Sequence, residues 1–205
     1  MSSSKTTPVK HTKLSKLSTI AIGYPFRGRI HDTEDPDAIV VQMSNVSVGQ
    51  GVEWSSCTRT TLPGKRDPDW LQPNDILFAA RADPPYAVLI SEQLLEQPLK
   101  AVAAPYFYII RLPQTTQVTP AFLAWYLNSL PAQRYFLSHS EGSVTRSIKR
   151  KILEHTPIAV PPLPRQHTIS ALVDTIRQQQ HIAQQLISQG ELLLDALASD
   201  LEPSP

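Results

Sequence analysis

Apolar residues along this chain fall into two regimes. Between Ile20 and about Pro113 they come as short runs, Ile39-Val40-Val41, Tyr86-Ala87-Val88-Leu89-Ile90 and Tyr106-Phe107-Tyr108-Ile109-Ile110. Each run is rich in β-formers and bounded by Pro, Gly, Asp or Asn, which predicts strands. Gly49-Gln50-Gly51 predicts a turn between strands; Asp67-Pro68-Asp69 and Gln72-Pro73-Asn74-Asp75 predict loops. From Pro120 the spacing becomes helical. Thr119 is a cap and Pro120 fits a first turn. Phe122, Leu123, Tyr126, Leu127 and Leu130 then share one face, Pro131 breaks the helix, and a second stretch covers Ala132–Leu137. Thr156–Pro164 is so proline-rich that it predicts an extended edge strand or polyproline-like run.

The clearest element is the last. From Arg165 to about Leu201 the chain reads as one long helix. Ile169, Leu172, Ile176, Ala183, Leu186, Leu193 and Leu197 recur in steps of three and four, interrupted at Gln179 and Gly190. A stripe that long needs another helix to cover it, from this chain or a partner. The expected architecture is α+β: a twisted mixed sheet with packed helices, then one long coiled-coil-type helix. The expected domains are a flexible basic tail over 1–18, a sheet domain over 19–164, the helix over 165–201, and a disordered end over 202–205.

The 205 residues are 41% hydrophobic and 18% charged, enough apolar material for a core. No apolar run is long enough to span a membrane, and no secretory signal is evident, so a cytoplasmic protein is expected. A single cysteine, Cys57, excludes an internal disulfide or a cysteine-rich zinc site, and reads as a buried small residue. Seven glycines against nineteen prolines argue against Gly-rich phosphate loops.

Net charge is +1, so any nucleic-acid footprint has to be local. Arg27 and Arg29 flank Gly28, Lys65 and Arg66 follow Pro63-Gly64, Arg81 follows the Ile76–Phe78 strand, and Arg146, Lys149, Arg150 and Lys151 form the densest cluster. All fall in expected loops or element ends, where recognition residues sit on β scaffolds. Arg suits guanine edges and Lys mostly neutralises phosphate. Lys5, Lys10, Lys13 and Lys16 in the N-terminal segment read as a solvated tail, or as an arm touching phosphates.

Catalytic motifs are poor. The six histidines show no metal-ligand spacing. Asp83-Pro84-Pro85-Tyr86 has the form of an amino-methyltransferase pocket, where an acid and a carbonyl hold the amine and the ring stacks on a flipped base. The Gly-rich turn that would hold S-adenosylmethionine is missing, and the plainer reading is a Pro-rich loop.

Four segments together resemble the target recognition domain of type I restriction-modification specificity subunits. Leu71–Phe78 is similar to the family's strand that follows a Gly-Asp pair. Ala121–Ser129 is similar to its helix ending Tyr-Leu-Asn-Ser. Gly142–Ile148, with Ser143 and Arg146, is similar to its glycine loop. Ile158–Gln166 is similar to the Pro-Pro-Leu run, ending in Glu-Gln, that opens its long helix. Asn74 stands where Gly is usual, Arg165 where Glu is usual, and Ala82 where Gly is common.

The family's full-length subunits carry two recognition domains and two long helices, and this chain has one of each. The resemblance therefore implies a half-subunit that pairs as a homodimer through its helix, on a bipartite palindromic target in double-stranded DNA. It also implies no catalysis and no cofactor in this chain. S-adenosylmethionine belongs to a partner adenine methyltransferase, and a restriction and translocase subunit is a further partner where one exists. The rival readings are a small methyltransferase using Asp83 and Tyr86, and a coiled-coil adaptor without DNA binding.

Overall fold

The computed structural model describes residues 10–64, 67–140 and 147–200. Among the described residues eleven strands and four α-helices follow in chain order: β1 (Lys10–Lys13), β2 (Thr19–Ile22), β3 (Ala38–Val41), β4 (Val46–Ser47), β5 (Gly51–Val52), β6 (Thr58–Thr60), β7 (Ile76–Ala79), β8 (Tyr86–Leu89), β9 (Ala101–Ala103), β10 (Phe107–Arg111), α1 (Pro120–Leu127), α2 (Leu130–His139), α3 (Arg150–Glu154), β11 (Pro157–Val160) and α4 (Leu163–Asp200). The chain divides into two compact units, one ending at His167 and one formed by the rest of α4.

The α+β expectation holds, with the strands divided among several sheets. The largest has the order β2-β10-β7-β8 and is antiparallel throughout. A three-stranded mixed sheet, β6-β3-β9, pairs β3 parallel to β9 and antiparallel to β6. The Ile76-Leu77-Phe78-Ala79 run of β7 is buried at every position because both faces of its sheet are covered. Leu77 and Ala79 join Val88, Phe107 and Ile109 against Ile39, Val41, Ala101 and Ala103 of the mixed sheet. On the opposite face Phe78 meets Phe136 of α2, ring centroids 5.0 Å apart. Between the sheets Gly23 runs so close to β9 that a Cβ there would sit 2.0 Å from the Ala104 carbonyl oxygen. Only glycine fits that crossing.

The helix start at Thr119 is as expected, its hydroxyl accepting from the Phe122 amide at 3.3 Å. Leu130 is not on the buried face. α1 stops at Leu127, and Leu130 opens α2 with its side chain 62% exposed. The physical reason is Pro131: it belongs in the first turn of a new helix, not in the interior of a continuing one.

Three further expectations are corrected. Residues 10–18 are not a tail. β1 pairs antiparallel with β11, Lys13 opposite Pro157, and Leu14 is fully buried, its amide donating to the Thr156 carbonyl at 3.0 Å. Residues 1–9 and 201–205 lie outside the described residues. Thr156–Pro164 is extended only as far as β11, since α4 takes in Leu163 and Pro164 as its first turn. The long helix thus starts two residues before Arg165.

Cys57 is buried, its thiol donating to the Glu53 carbonyl oxygen at 3.5 Å. Burial, and then the Glu53 charge, push the thiol up to about 12. At mildly alkaline pH the native thiolate is therefore scarce. Alkylation by iodoacetamide, followed by mass spectrometry, is expected to be slow in the folded protein and to become fast in denaturant. Equal rates in both states would contradict the burial.

Candidate nucleic-acid interface

The segments that carry the resemblance turn out to hold the scaffold. Asp75 is 1% exposed and receives two hydrogen bonds from Arg111, Nε to Oδ1 at 2.7 Å and Nη2 to Oδ2 at 2.6 Å. Its Oδ2 also accepts from the Gln72 amide at 2.8 Å, and Arg111 Nη2 reaches the Trp70 carbonyl at 2.9 Å. Asn74 beside it has φ +72°, which explains why its position favours Gly and tolerates Asn. Asn128 bonds the backbone of Ala87 on β8 from both ends of its amide, Oδ1 at 2.9 Å and Nδ2 at 2.7 Å, and its Nδ2 also reaches the Ala124 carbonyl. Gln166, fully buried, donates to the Gln117 and Pro161 carbonyls and accepts from the Thr119 amide. One side chain thus fixes the start of α4 to the loop before α1. Arg165, where Glu is usual, is exposed in the same turn.

The recognition candidates sit apart from this framework, on its surface. Arg27 and Arg29 are exposed in the β2–β3 connection, on either side of Gly28 with φ +83°. Arg81 is exposed just after β7, and its guanidinium lies over the Tyr106 ring, 4.9 Å from the centroid. The amide of Ile148 donates to the Ala80 carbonyl at 2.9 Å, which sets Lys149 beside the β7 end that carries Arg81. Lys149, Arg150 and Lys151 are exposed, but the last two belong to α3 rather than a loop. Arg150 is engaged with Glu154 four residues on, at 2.8 Å. The helix was missed because five residues are too few to show a period. Lys65, Arg66, Ser143 and Arg146 lie outside the described residues.

The structure therefore brings Arg81 and the 149–151 group together and leaves Arg27 and Arg29 on a separate connection. Tyr106, 48% exposed, was not singled out from sequence as a surface group. Its place at the head of the β10 run disguised it as a core residue. Stacking on its ring restricts the Arg81 fork, which lowers the ordering cost of a bidentate contact.

Asp83, Pro84 and Pro85 line a cavity of about 190 Å³ with Leu130, Gln133 and Leu137. The Asp83–Pro84 peptide bond is cis. Tyr86 does not line this cavity. It packs against the buried cluster between the sheets, and its hydroxyl points to the Met43 carbonyl at 3.5 Å. Burial raises that hydroxyl above the usual tyrosine range. The Pro85 carbonyl already accepts from Gln133 Nε2 at 2.9 Å. Acid, carbonyl and ring do not converge as an amine pocket requires.

Along α4 the seam residues are open. Leu172, Ile176, Leu186, Leu193 and Leu197 are all exposed, Leu186 by 64%; Ala183 is exposed and Ile169 half-buried. Gly190 has nothing within 4 Å of where a Cβ would stand. Among the described residues no helix is long and apolar enough to cross a membrane.

This arrangement, a rigid sheet scaffold with basic connections and an uncovered helical stripe, is that of a recognition module. The type I restriction modification DNA specificity domain matches residues 58–191, and the chain belongs to that family. The family is one of DNA specificity domains, so the role it gives the chain is recognition of a DNA target. Three solved structures share the fold. A chain from the structure described as the structural basis underlying complex assembly and conformational transition of the type I R-M system has a TM-score of 0.65 at 18% identity, over 92% of this chain and 43% of that one. The HsdS subunit from Thermoanaerobacter tengcongensis scores 0.61 at 17% identity, over 86% and 39%. The S subunit of the type I system from M. genitalium scores 0.61 at 13% identity, over 98% and 47%. The chain thus spans less than half the length of each. No curated protein matches the chain.

Proposed function

We propose that this chain directs an adenine methyltransferase to a bipartite, palindromic DNA target, and that it does so as a pair of copies joined through α4. A restriction subunit joins where the system has one. In this reading S-adenosylmethionine is bound by the methyltransferase, and this chain supplies no catalytic group. Arg27, Arg29 and Arg81 read base edges, together with Lys65, Arg66 and Ser143. Arg146, Lys149, Arg150 and Lys151 meet phosphates.

The observation that carries the pairing is the uncovered stripe on α4. Its charges indicate the orientation. The first half of the helix holds Arg165, Arg177, His167 and His181 against Asp174 alone, whereas residues 182–200 hold Glu191, Asp195 and Asp200 and no Lys or Arg. Parallel pairing sets acid beside acid; antiparallel pairing sets the acidic half against the basic one. Centred near Ala183, an antiparallel pair brings the bare Gly190 opposite Ile176, where close approach is sterically open. A two-fold pair of recognition domains calls for an inverted repeat with a spacer set by the helices.

Replacing Arg146, Lys149 and Lys151 together by Ala is expected to abolish duplex binding while circular dichroism stays unchanged. The slope of log K against log salt should fall by roughly 0.9 for each cation that meets a phosphate. Full retention of binding would favour the adaptor reading.

A further inference from the structure

We infer that Lys13 and Lys16 complete the phosphate-binding surface begun by Lys149 and Lys151, so that one face built from both ends of the sheet domain grips the duplex backbone. This rests on the DNA-recognition reading above and adds the N-terminal strand to it.

The juxtaposition is a product of folding, since more than 130 residues separate the two segments in sequence. β1 lies in register along β11, and the short 3₁₀ turn Leu14–Lys16 packs on α3 with Cα atoms within 8 Å. The buried Leu14, with its amide on the Thr156 carbonyl, locks that turn in place. Lys13, Lys16, Lys149 and Lys151 are all exposed there. Residues 11–18 and 147–156 together carry five Lys and Arg against the single acid Glu154, in a chain of net charge +1. The rest of the molecule is accordingly net acidic, and the positive excess is concentrated on this face. The turn that carries Lys16 and the helix that carries Lys151 approach to within about a Debye length at physiological salt, about 8 Å, with Lys13 and Lys149 next to them in sequence, so positive charge from the two segments adds to one local field. Four of the five are Lys, the compact charge that neutralises phosphate rather than the fork that reads base edges. They project from a paired strand, a packed turn and the start of a helix, so little backbone ordering is lost on binding.

The test uses the full chain and a random-sequence duplex, because phosphate contacts do not depend on the target. Anisotropy titrations over a range of salt compare wild type with Lys13→Ala/Lys16→Ala and Lys13→Arg/Lys16→Arg. The Ala pair is expected to bind more weakly and to lower the log–log salt slope by up to about 1.8, with the melting temperature unchanged; the Arg pair retains both affinity and slope. An unchanged slope and affinity in the Ala pair would overturn the inference while leaving the loss expected on replacing Arg146, Lys149 and Lys151 untouched. So would an Ala pair that keeps duplex binding and instead releases the methyltransferase, since the face would then be protein-facing. A wild-type chain without duplex affinity would overturn both this and the functional reading beneath it.

Discussion

Asp75→Ala is expected to be the most damaging single substitution in the sheet domain, costing about 3 kcal/mol. Asp75 is buried and holds the Arg111 guanidinium through two bonds and the Gln72 amide through a third. Removing one partner of a buried pair typically costs about 3–5 kcal/mol, because the other is left uncompensated. The Arg111 side chain is 35% exposed, so water recovers part of that and the lower end applies. A domain of ordinary stability, about 5–15 kcal/mol, loses a large share of it. Thermal and urea melts measure the effect. Replacing both partners, Asp75→Leu with Arg111→Met, should recover much of the loss, since an apolar pair of similar volume leaves neither group stranded. A loss below about 1 kcal/mol for the single substitution would show that the pair does not hold β7 to β10.

The second large effect concerns assembly. Leu186→Glu with Leu193→Glu is expected to convert a dimer into a monomer. In a two-fold pair each substitution counts twice, so four leucines are lost from the contact. At about 1.5–3 kcal/mol for each buried side chain, the dimer weakens by at least about 6 kcal/mol, or more than four decades in Kd. The recognition unit should melt unchanged, because Leu186 and Leu193 are exposed and lie outside its core. Analytical ultracentrifugation of both proteins decides it. A monomeric wild type, or a variant that still dimerises, would place the contact elsewhere.

How far the fold was legible depended on whether a signal was local. β10 showed itself because Phe107–Ile110 is an unbroken run of β-formers buried from both faces. α1 was marked by a cap and a proline at its start, and α4 by the repeat of its apolar positions. β1 could not be read this way. Lys-His-Thr-Lys has no apolar alternation and is a strand only because β11, at the far end of the domain, supplies its hydrogen bonds. Leu14, which proves fully buried, was the available signal that the segment is anchored, and a single leucine shows no period. Membership of the four resemblance segments was legible, but not their purpose. Asp75, Asn128 and Gln166 proved to be satisfied structural polar groups whose partners are distant in sequence. Charge type pointed only to candidate recognition residues; that Arg81 and Lys149 stand near each other came from the topology, through the Ile148–Ala80 bond. The target bases depend on loop geometry and DNA shape and leave no mark in residue propensity.

The account is tested most directly by a methylome. This chain is expressed with the methyltransferase encoded beside it in a host lacking its own adenine methylation, and methyladenine is mapped across the genome. The account predicts one bipartite inverted-repeat motif that disappears when this chain is withheld and when Leu186 and Leu193 are replaced by Glu. Methylation of a motif by this chain alone would contradict it and return Asp83-Pro84-Pro85-Tyr86 to consideration as an active site.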